Sequence, residues 1–328
     1  MKPFDRLEVR PYQLMCIVCK IGEARPDDTG DSRLTRILEE VRGNPDIPVT
    51  LRCNVDSVYR YQNPGRGEDT PEGELFNDKR DLDILQRLGL MPGSTRPARQ
   101  LFLRLLQSVP TARGICAYRP PTAGEWGGCR RAWSDNYERG HALGMDAIVL
   151  PRTSQQKTQA KAESARAVYE SRCLNIRPHH LMCMACFYGD GNGLAPIAED
   201  NLYEAIDVVR KNPDIPITLV AGCCMICPPC SHHDPASNLC VGANAMGLRD
   251  QKKDLDVLQR LGLRFGDSLP ARELYARLFR AIGSTREVCG YGDGIVRAWE
   301  WTICGGSEGN QRYARARATG MGFLPKER

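Results

Sequence analysis

The chain has 328 residues and a formal net charge of +5, so it suits two domains of about 150 residues, each able to bury its own core. Residues 151–172 contain five Lys and Arg but two Asp and Glu, so most of the excess positive charge lies in this segment. A nucleic-acid surface would instead need a clustered basic patch on a domain. No apolar run approaches the roughly 20 residues of a membrane span, and the N-terminus lacks a signal-peptide core. We therefore expect a cytoplasmic protein without nucleic-acid or membrane partners.

The cysteine content is high for a chain of this kind. There are 15 cysteines, an odd number, in a long chain without a secretion signal. In a reducing compartment, clustered cysteines bind metal or carry out redox chemistry more often than they form disulfides. We therefore search the sequence for metal-ligand spacing first.

The chain contains an internal repeat, with three matched segment pairs: Arg10–Cys19 and Arg177–Cys186, Asn44–Leu51 and Asn212–Leu219, and Asp81–Leu90 and Asp254–Leu263. The pairs predict a tandem duplication, with one copy at residues 1–150 and the other at residues 173–328. Residues 151–172 are polar and rich in Gln, Lys and Ala, which predicts a linker that is either a solvated helix or a flexible spacer.

Both copies have the same predicted elements in the same order. An Arg-Pro pair opens a helix, because proline is tolerated in the first helical turn. A second helix, near residues 34–41 and 202–209, is followed by a short apolar strand at 49–51 and 217–220. An Asp-Leu-Asp helix then ends at glycine, a common C-cap, and an amphipathic helix and an Arg-rich helix complete each copy. The pattern predicts a helix-rich α+β fold with short strands and cysteine-bearing loops.

Four cysteines occur in the same order in both copies, as a C-x-x-C pair followed by two distant cysteines. Four thiolates suit either a tetrahedral zinc ion or an iron–sulfur cluster, whereas buried cysteines without metal are the plainer alternative. We predict a ligand set in each copy: Cys16, Cys19, Cys116 and Cys129 in the first, and Cys183, Cys186, Cys289 and Cys304 in the second.

The loop after the predicted strand distinguishes the copies. The first copy has a connection without cysteines after Asn54, whereas the second continues as C-C-M-I-C-P-P-C-S-H-H from residue 223, with a further cysteine at position 240. Cysteines three positions apart, a nearby proline and a distant fourth cysteine are typical of iron–sulfur loops. We predict that this loop binds a [4Fe–4S] cluster through Cys224, Cys227, Cys230 and Cys240; the neighbouring His232 and His233 leave zinc open as an alternative.

The second copy alone has the pair His179 and His180. The first copy has Tyr12 and Gln13 there, so the fold does not require histidine. The pair is either a surface or capping feature, or it places an imidazole beside a metal centre. The arginine two positions before the pair occurs in both copies, as Arg10 and Arg177, and we predict that it forms a structural ion pair.

The segment Arg177-Pro178-His179-His180-Leu181-Met182-Cys183, with the later C-P-P-C loop, resembles a small prokaryotic family of uncharacterised proteins that are regarded as iron–sulfur binding. The resemblance extends to about residue 263 and implies one cluster, held by Cys183, Cys227, Cys230 and Cys240. The chain departs from that family in its additional cysteines, at positions 186, 223, 224, 289 and 304, and in its preceding first copy.

Two ligand assignments therefore compete. In the family assignment Cys183 joins the loop, whereas in the repeat assignment Cys183 belongs with Cys186, Cys289 and Cys304. The repeat assignment gives three centres, hence about 12 iron atoms per chain if all are [4Fe–4S]. We favour it because it explains why both copies contain the distant cysteines.

These observations lead to three functional hypotheses. The first is an iron–sulfur protein with one to three clusters, which acts in electron transfer or as a redox enzyme component and meets a redox partner protein or a small-molecule substrate. The second is a zinc-stabilised protein-binding module. The third is a thiol oxidoreductase that uses its C-x-x-C pairs.

Overall fold

A computed structural model describes residues 6–23, 32–54, 70, 72–191, 193–241, 248–289, 304–307 and 309–325. The chain divides into two compact units, Met1–Pro151 and Arg152–Arg328. Residues 290–303, which lie between the predicted ligands Cys289 and Cys304, are outside the described part.

The described part of unit 1 contains three short strands, five α-helices and several 3₁₀ turns. The strands are β1 (Leu7–Val9), β2 (Pro48–Leu51) and β3 (Thr95–Pro97). The helices are α1 (Pro11–Ile21), α2 (Ser32–Gly43), α3 (Glu74–Leu88), α4 (Ala98–Ser108) and α5 (Asn136–Leu143). The 3₁₀ turns are Gly124–Trp126, Arg130–Trp133 and Met145–Ala147.

Unit 2 has corresponding elements, an additional N-terminal helix and a small hairpin. The helices are α6 (Ser154–Glu170), α7 (Pro178–Tyr188), α8 (Leu202–Lys211), α9 (Leu248–Leu261), α10 (Ala271–Ala281), α11 (Arg286–Cys289) and α12 (Gln311–Thr319), followed by a 3₁₀ turn at Gly320–Gly322. The strands are β4 (Leu174–Ile176), β5 (Pro216–Leu219), β6 (His233–Asp234), β7 (Leu239–Cys240) and β8 (Ser268–Pro270).

The main sheets of the two units have the same topology. In unit 1 the order is β1-β2-β3, with β1 parallel to β2 and β2 antiparallel to β3. In unit 2 the order β4-β5-β8 reproduces both pairings. The register also corresponds, because Leu7 lies opposite Val49 and Leu174 lies opposite Ile217. The prediction of a helix-rich α+β fold is confirmed, and no described helix is both long and apolar enough to cross a membrane.

The helix that follows the first strand lies in the middle of each unit. In α1, Leu14, Ile17 and Val18 are at most 1% exposed, and the helix packs against α2, α3 and α5. In the same way α7 packs against α8, α9 and α12. A helix that is apolar on most of its surface is stable only inside such a core. Each unit therefore has its own core around the helix that carries its C-x-x-C pair.

The segment predicted as a polar linker contains α6 and belongs to unit 2. Its N-cap Thr153 forms a capping box with Gln156, an arrangement that fixes the helix start. Val168 is fully buried in the core of unit 2, and the Lys161 Nζ lies 2.7 Å from Glu204 Oε1 on α8. The helix therefore packs against the domain that follows it.

A buried ion pair joins the start of the central helix to the Asp-Leu-Asp helix in both units. In unit 1 the Arg10 Nε donates to Asp81 Oδ2 over 2.7 Å, and both side chains are fully buried. In unit 2 the Arg177 Nε and Nη2 donate to Asp254 Oδ2 over 2.9 and 2.7 Å. The prediction that each of these two arginines forms a structural ion pair is confirmed.

A second constraint is the close packing of the central helix against the last long helix of each unit. A Cβ atom on Gly22 would lie 1.9 Å from the Asn136 carbonyl oxygen, and one on Gly189 would lie 1.9 Å from the Arg312 carbonyl oxygen. Neither position therefore has room for a side chain.

Replacing Asp81 with Ala should destabilise the protein, because it removes the buried carboxylate beside the Arg10 guanidinium and leaves the partly exposed Asp78 as its acidic partner. We expect the free energy of unfolding, measured by urea denaturation of the full chain, to fall by about 3–5 kcal/mol. The control Asp83→Ala removes a more exposed pair with Lys79 on the same helix and should cost about 0–1 kcal/mol. Equal losses in the two variants would contradict the assigned role.

Replacing Gly22 with Ala should also destabilise the protein, because the new Cβ meets backbone atoms. Overpacking of this kind costs about 1–3 kcal/mol, and the same denaturation experiment measures it. Gly43 is the matched control, since a Cβ there has no atom within 4 Å and alanine favours the helix. A Gly22→Ala variant as stable as Gly43→Ala would show that the contact is not tight.

Candidate metal centres

The four predicted cysteines of unit 1 line one cavity of about 80 Å³. Cys16 and Cys19 are three positions apart on α1 and therefore project from the same side of the helix. The distant pair is held together by the backbone, because the Cys129 N–H donates to the Cys116 carbonyl over 2.7 Å. Gly128 permits this approach, since its φ is +74° and a Cβ there would lie 2.6 Å from the Cys116 carbonyl oxygen.

A buried cation faces this cavity. The Arg80 side chain also lines it, is 1% exposed and stacks over the Tyr12 ring at 4.1 Å. Its Nη2 bonds to Asn77 Oδ1, whereas its buried Nε has no hydrogen-bond partner within the described part of the chain. Burial raises the pKa of Cys16 and Cys116 to about 12, although the Arg80 charge acts in the opposite direction. The cavity thus combines four thiols with two arginines, because Arg131 lines it as well as Arg80.

The corresponding four cysteines of unit 2 also share a cavity, of about 140 Å³. Cys183 and Cys186 lie on α7, Cys289 ends α11, and Cys304 follows the undescribed stretch. Burial, together with neighbouring thiols at Cys304, Cys289 and Cys186, raises the pKa of Cys183 well above its usual value. Lys253, at the position of Arg80, lines this cavity and lies 3.2 Å from Asp250 Oδ1.

The sulfur atoms of the two four-cysteine sets are not closely grouped in the described part of the chain. In the part of the chain that the structure describes, no three sulfur atoms of either set lie within 4.8 Å of one another. A tetrahedral zinc ion with bonds of about 2.3 Å needs sulfur atoms about 3.8 Å apart. The spacing is therefore wider than a mononuclear site requires.

The cysteine-rich loop of unit 2 lies against the same cavity, which Cys223, Cys227, Cys230 and Cys240 line. Its backbone forms successive turns: the Cys227 N–H donates to the Cys224 carbonyl over 3.0 Å, and the Cys230 N–H to the Cys227 carbonyl over 2.9 Å. The Cys224 and Cys227 sulfur atoms are 3.8 Å apart. The Cys240 Sγ lies 3.9 Å from Asp250 Oδ2. All four predicted loop ligands are therefore in one region of the unit, three of them on the cavity wall.

The two histidines of the pair both lie near Cys183, because ligand atoms of these three residues are within 4.8 Å of one another, but their other neighbours differ. Asp254 accepts hydrogen bonds from the Arg177 side chain. It also accepts one from the His179 backbone N–H at 3.0 Å, and its Oδ1 lies 2.7 Å from His179 Nδ1. Burial opposes ionisation of Asp254, but His179 and Arg177 hold its pKa down to about 2. The carboxylate therefore orients the His179 ring. His180 Nδ1 lies 3.2 Å from Cys224 Sγ and 4.0 Å from Cys227 Sγ.

The structure thus brings together more than the sequence patterns predicted. The cavity of unit 2 contains Cys183 both with its repeat partners and with the loop cysteines, as each ligand assignment requires. The buried cation just before the Asp-Leu-Asp motif was not predicted, whereas His180 beside the loop agrees with the alternative that the histidine pair places an imidazole beside a metal centre. The signals were present: a basic residue precedes Asp81 and Asp254 in both copies, and the histidine pair occurs only in the copy that has the loop.

The surroundings raise the pKa of several of these thiols. Burial raises the pKa of Cys19 to about 12, and the pKa of Cys186, Cys224 and Cys227 is raised well above the usual value. A redox-active cysteine instead needs a lowered pKa. Metal binding removes the proton outright, so these groups suit metal ligation better than thiol exchange.

The cavity of unit 2 falls largely within a known family region. Residues 199–293 match the family described as Protein of unknown function (DUF1284). The similarity covers the loop and Cys289, but not the Arg177–Cys186 segment or unit 1. No curated protein and no solved structure matches the chain. Similarity to an uncharacterised family is confirmed, whereas the iron–sulfur character remains a prediction.

Proposed function

We propose that the chain is an iron–sulfur protein of electron transfer or reductive catalysis, with one cluster in each four-cysteine cavity. The observation that carries the proposal is the convergence of distant cysteines in both units. The C-x-x-C pairs on α1 and α7 meet cysteines about 100 residues later in the chain, and each set of four lines a single cavity.

The donor set and its spacing favour a cluster over a single ion. Iron–sulfur clusters are held by four cysteine thiolates, each on its own iron atom. Such thiolates lie farther apart than the ligands of one zinc ion, in agreement with the wide spacing of both sets. When bound, a cluster of this kind supplies reversible electron storage.

The buried cations support the same proposal. A centre with four thiolates carries net negative charge, which a low-dielectric cavity disfavours unless a positive charge lies nearby. Arg80 and Lys253 supply that charge at matched positions. The two cations are placed in the same way, because in each unit the next residue is the aspartate of the buried ion pair.

Metal analysis tests the proposal directly. Protein purified without oxygen should be brown and contain about eight iron and eight sulfide per chain for the two four-cysteine sets, or about 12 of each if the loop also holds a cluster. Cys129→Ser should lower both values by about four, because it removes one ligand of the unit-1 set. The control Cys53→Ala replaces a buried cysteine of unit 1 outside the set and should leave them unchanged. A colourless protein without iron would refute the proposal.

Removal of the positive charge at Arg80 gives a second test of the proposal. Arg80→Gln removes the cation, whereas Arg80→Lys reproduces the residue type of unit 2. Without the positive charge the reduced cluster, which is the more negative form, is destabilised. The reduction potential of the unit-1 cluster, identified as the signal that Cys129→Ser abolishes, should therefore become more negative by about 60 mV or more. For one electron this shift is about a tenfold change in the equilibrium constant. Arg80→Lys should change it much less. An EPR-monitored redox titration measures both, and equal potentials in the two variants would exclude an electrostatic role.

A further inference from the structure

The loop of unit 2 differs from the four-cysteine sets in one measurable respect, the distance between its candidate ligand atoms. The Cys224 and Cys227 sulfur atoms are 3.8 Å apart, and His180 Nδ1 lies 3.2 and 4.0 Å from them. With Zn–S bonds of about 2.3 Å and Zn–N bonds of about 2.0–2.1 Å, a tetrahedral ion places two sulfur ligands about 3.8 Å apart and a nitrogen and a sulfur about 3.6 Å apart. The three atoms therefore already have the spacing of three corners of one tetrahedron.

We propose that His180, Cys224 and Cys227 bind a single zinc-type ion, separate from the four-cysteine set, with its fourth position open to the cavity of unit 2. This proposal does not depend on the iron–sulfur function. It would hold whether the four-cysteine sets contain iron or not.

The loop that supplies the two cysteines is fixed on both sides. The Met225 N–H donates to the Asn175 carbonyl on β4 over 3.1 Å. The Asn201 side chain donates to the Met225 carbonyl over 2.8 Å, and its backbone N–H donates to the Ile226 carbonyl over 3.1 Å. Within the turn, the Cys224 N–H lies 3.3 Å from Cys227 Sγ and donates to it. A backbone donor at the sulfur stabilises thiolate charge, as a metal ligand requires.

The histidine is positioned by the framework that both units share. His180 lies in the first turn of α7, which the Arg177–Asp254 pair attaches to α9. Its ring contacts that of His179, with the centroids 4.6 Å apart. Unit 1 has Gln13 at this position, whose side-chain oxygen accepts the Arg10 backbone N–H over 2.8 Å. The fold therefore accepts glutamine there, and histidine serves another purpose.

The three ligands also occur together in the sequence. The first copy lacks both the histidine and the cysteine-rich loop, so it lacks the entire site, although it keeps the four-cysteine set. If the loop only completed the neighbouring four-cysteine centre, the first copy would need a loop of the same kind. The distribution instead fits a second, separate centre.

The fourth position faces the cavity. Among the residues that the structure describes, no fourth His, Cys, Asp or Glu lies within 4.8 Å of all three ligand atoms. His180 and Cys227 line the cavity, so water or a donor atom of a small substrate can approach the ion from that side. Three protein ligands with one open position characterise catalytic zinc, and two cysteines with one histidine are among its known ligand sets.

The test uses the full chain, purified without oxygen and then equilibrated with zinc chloride. We expect about one zinc per chain, with a first shell in zinc-edge X-ray absorption of two sulfur atoms at about 2.3 Å and two nitrogen or oxygen atoms at about 2.0–2.1 Å. His180→Gln, which introduces the residue of unit 1, and Cys224→Ser should each lower zinc occupancy tenfold or more without changing the iron content. Cys173→Ser, at a cysteine of unit 2 outside the site, should change neither metal.

Each remaining outcome overturns the proposal or separates it from the proposed function. Loss of about four iron atoms in His180→Gln or Cys224→Ser would assign the loop to a cluster, and a four-sulfur zinc shell or no zinc uptake would also contradict the site. Circular dichroism of His180→Gln confirms that the variant is folded. A protein with one such zinc but no iron would retain this site and refute only the iron–sulfur function.

Discussion

The buried pair of arginine and aspartate is the interaction on which each unit depends. It connects the start of the central helix, which carries the C-x-x-C pair, to the helix that carries the buried cation. One partner without the other would leave an uncompensated charge in the core, so the two helices are held in one arrangement. The positions of the thiols and of Arg80 or Lys253 both follow from this arrangement. The same pair therefore organises the core and the candidate metal centre.

The two units use this framework differently. Unit 1 has a four-cysteine cavity lined by Arg80 and Arg131, whereas unit 2 pairs Lys253 with Asp250 and surrounds its cavity with the loop and the histidines. Within one fold, the elements that form the core are shared, and the loops account for the difference in chemistry.

Much of this fold could be predicted from the sequence. Periodicity and caps located the helices, such as Ser32–Gly43 and Leu202–Lys211, to within a few residues. The strands β1 and β4 were missed, because three residues are too few to show alternation. The four-cysteine sets could be predicted because the repeat supplies an internal comparison. The contact of His180 with the loop could not, because it depends on the pairing of β4 with β5 and on hydrogen bonds from residues far apart in the chain.

The carboxylate of the buried pair has a consequence for how such a protein changes over time. In unit 1, Asp81 Oδ1 accepts the backbone N–H of Tyr12 over 2.9 Å. In unit 2, Asp254 Oδ1 accepts the backbone N–H of His179, the residue at the position of Tyr12, and also faces the His179 imidazole. A group retained for stability thus orients a histidine without any further change in the fold. The histidine at this position, where unit 1 has Tyr12, is therefore already oriented where it lines the cavity of unit 2.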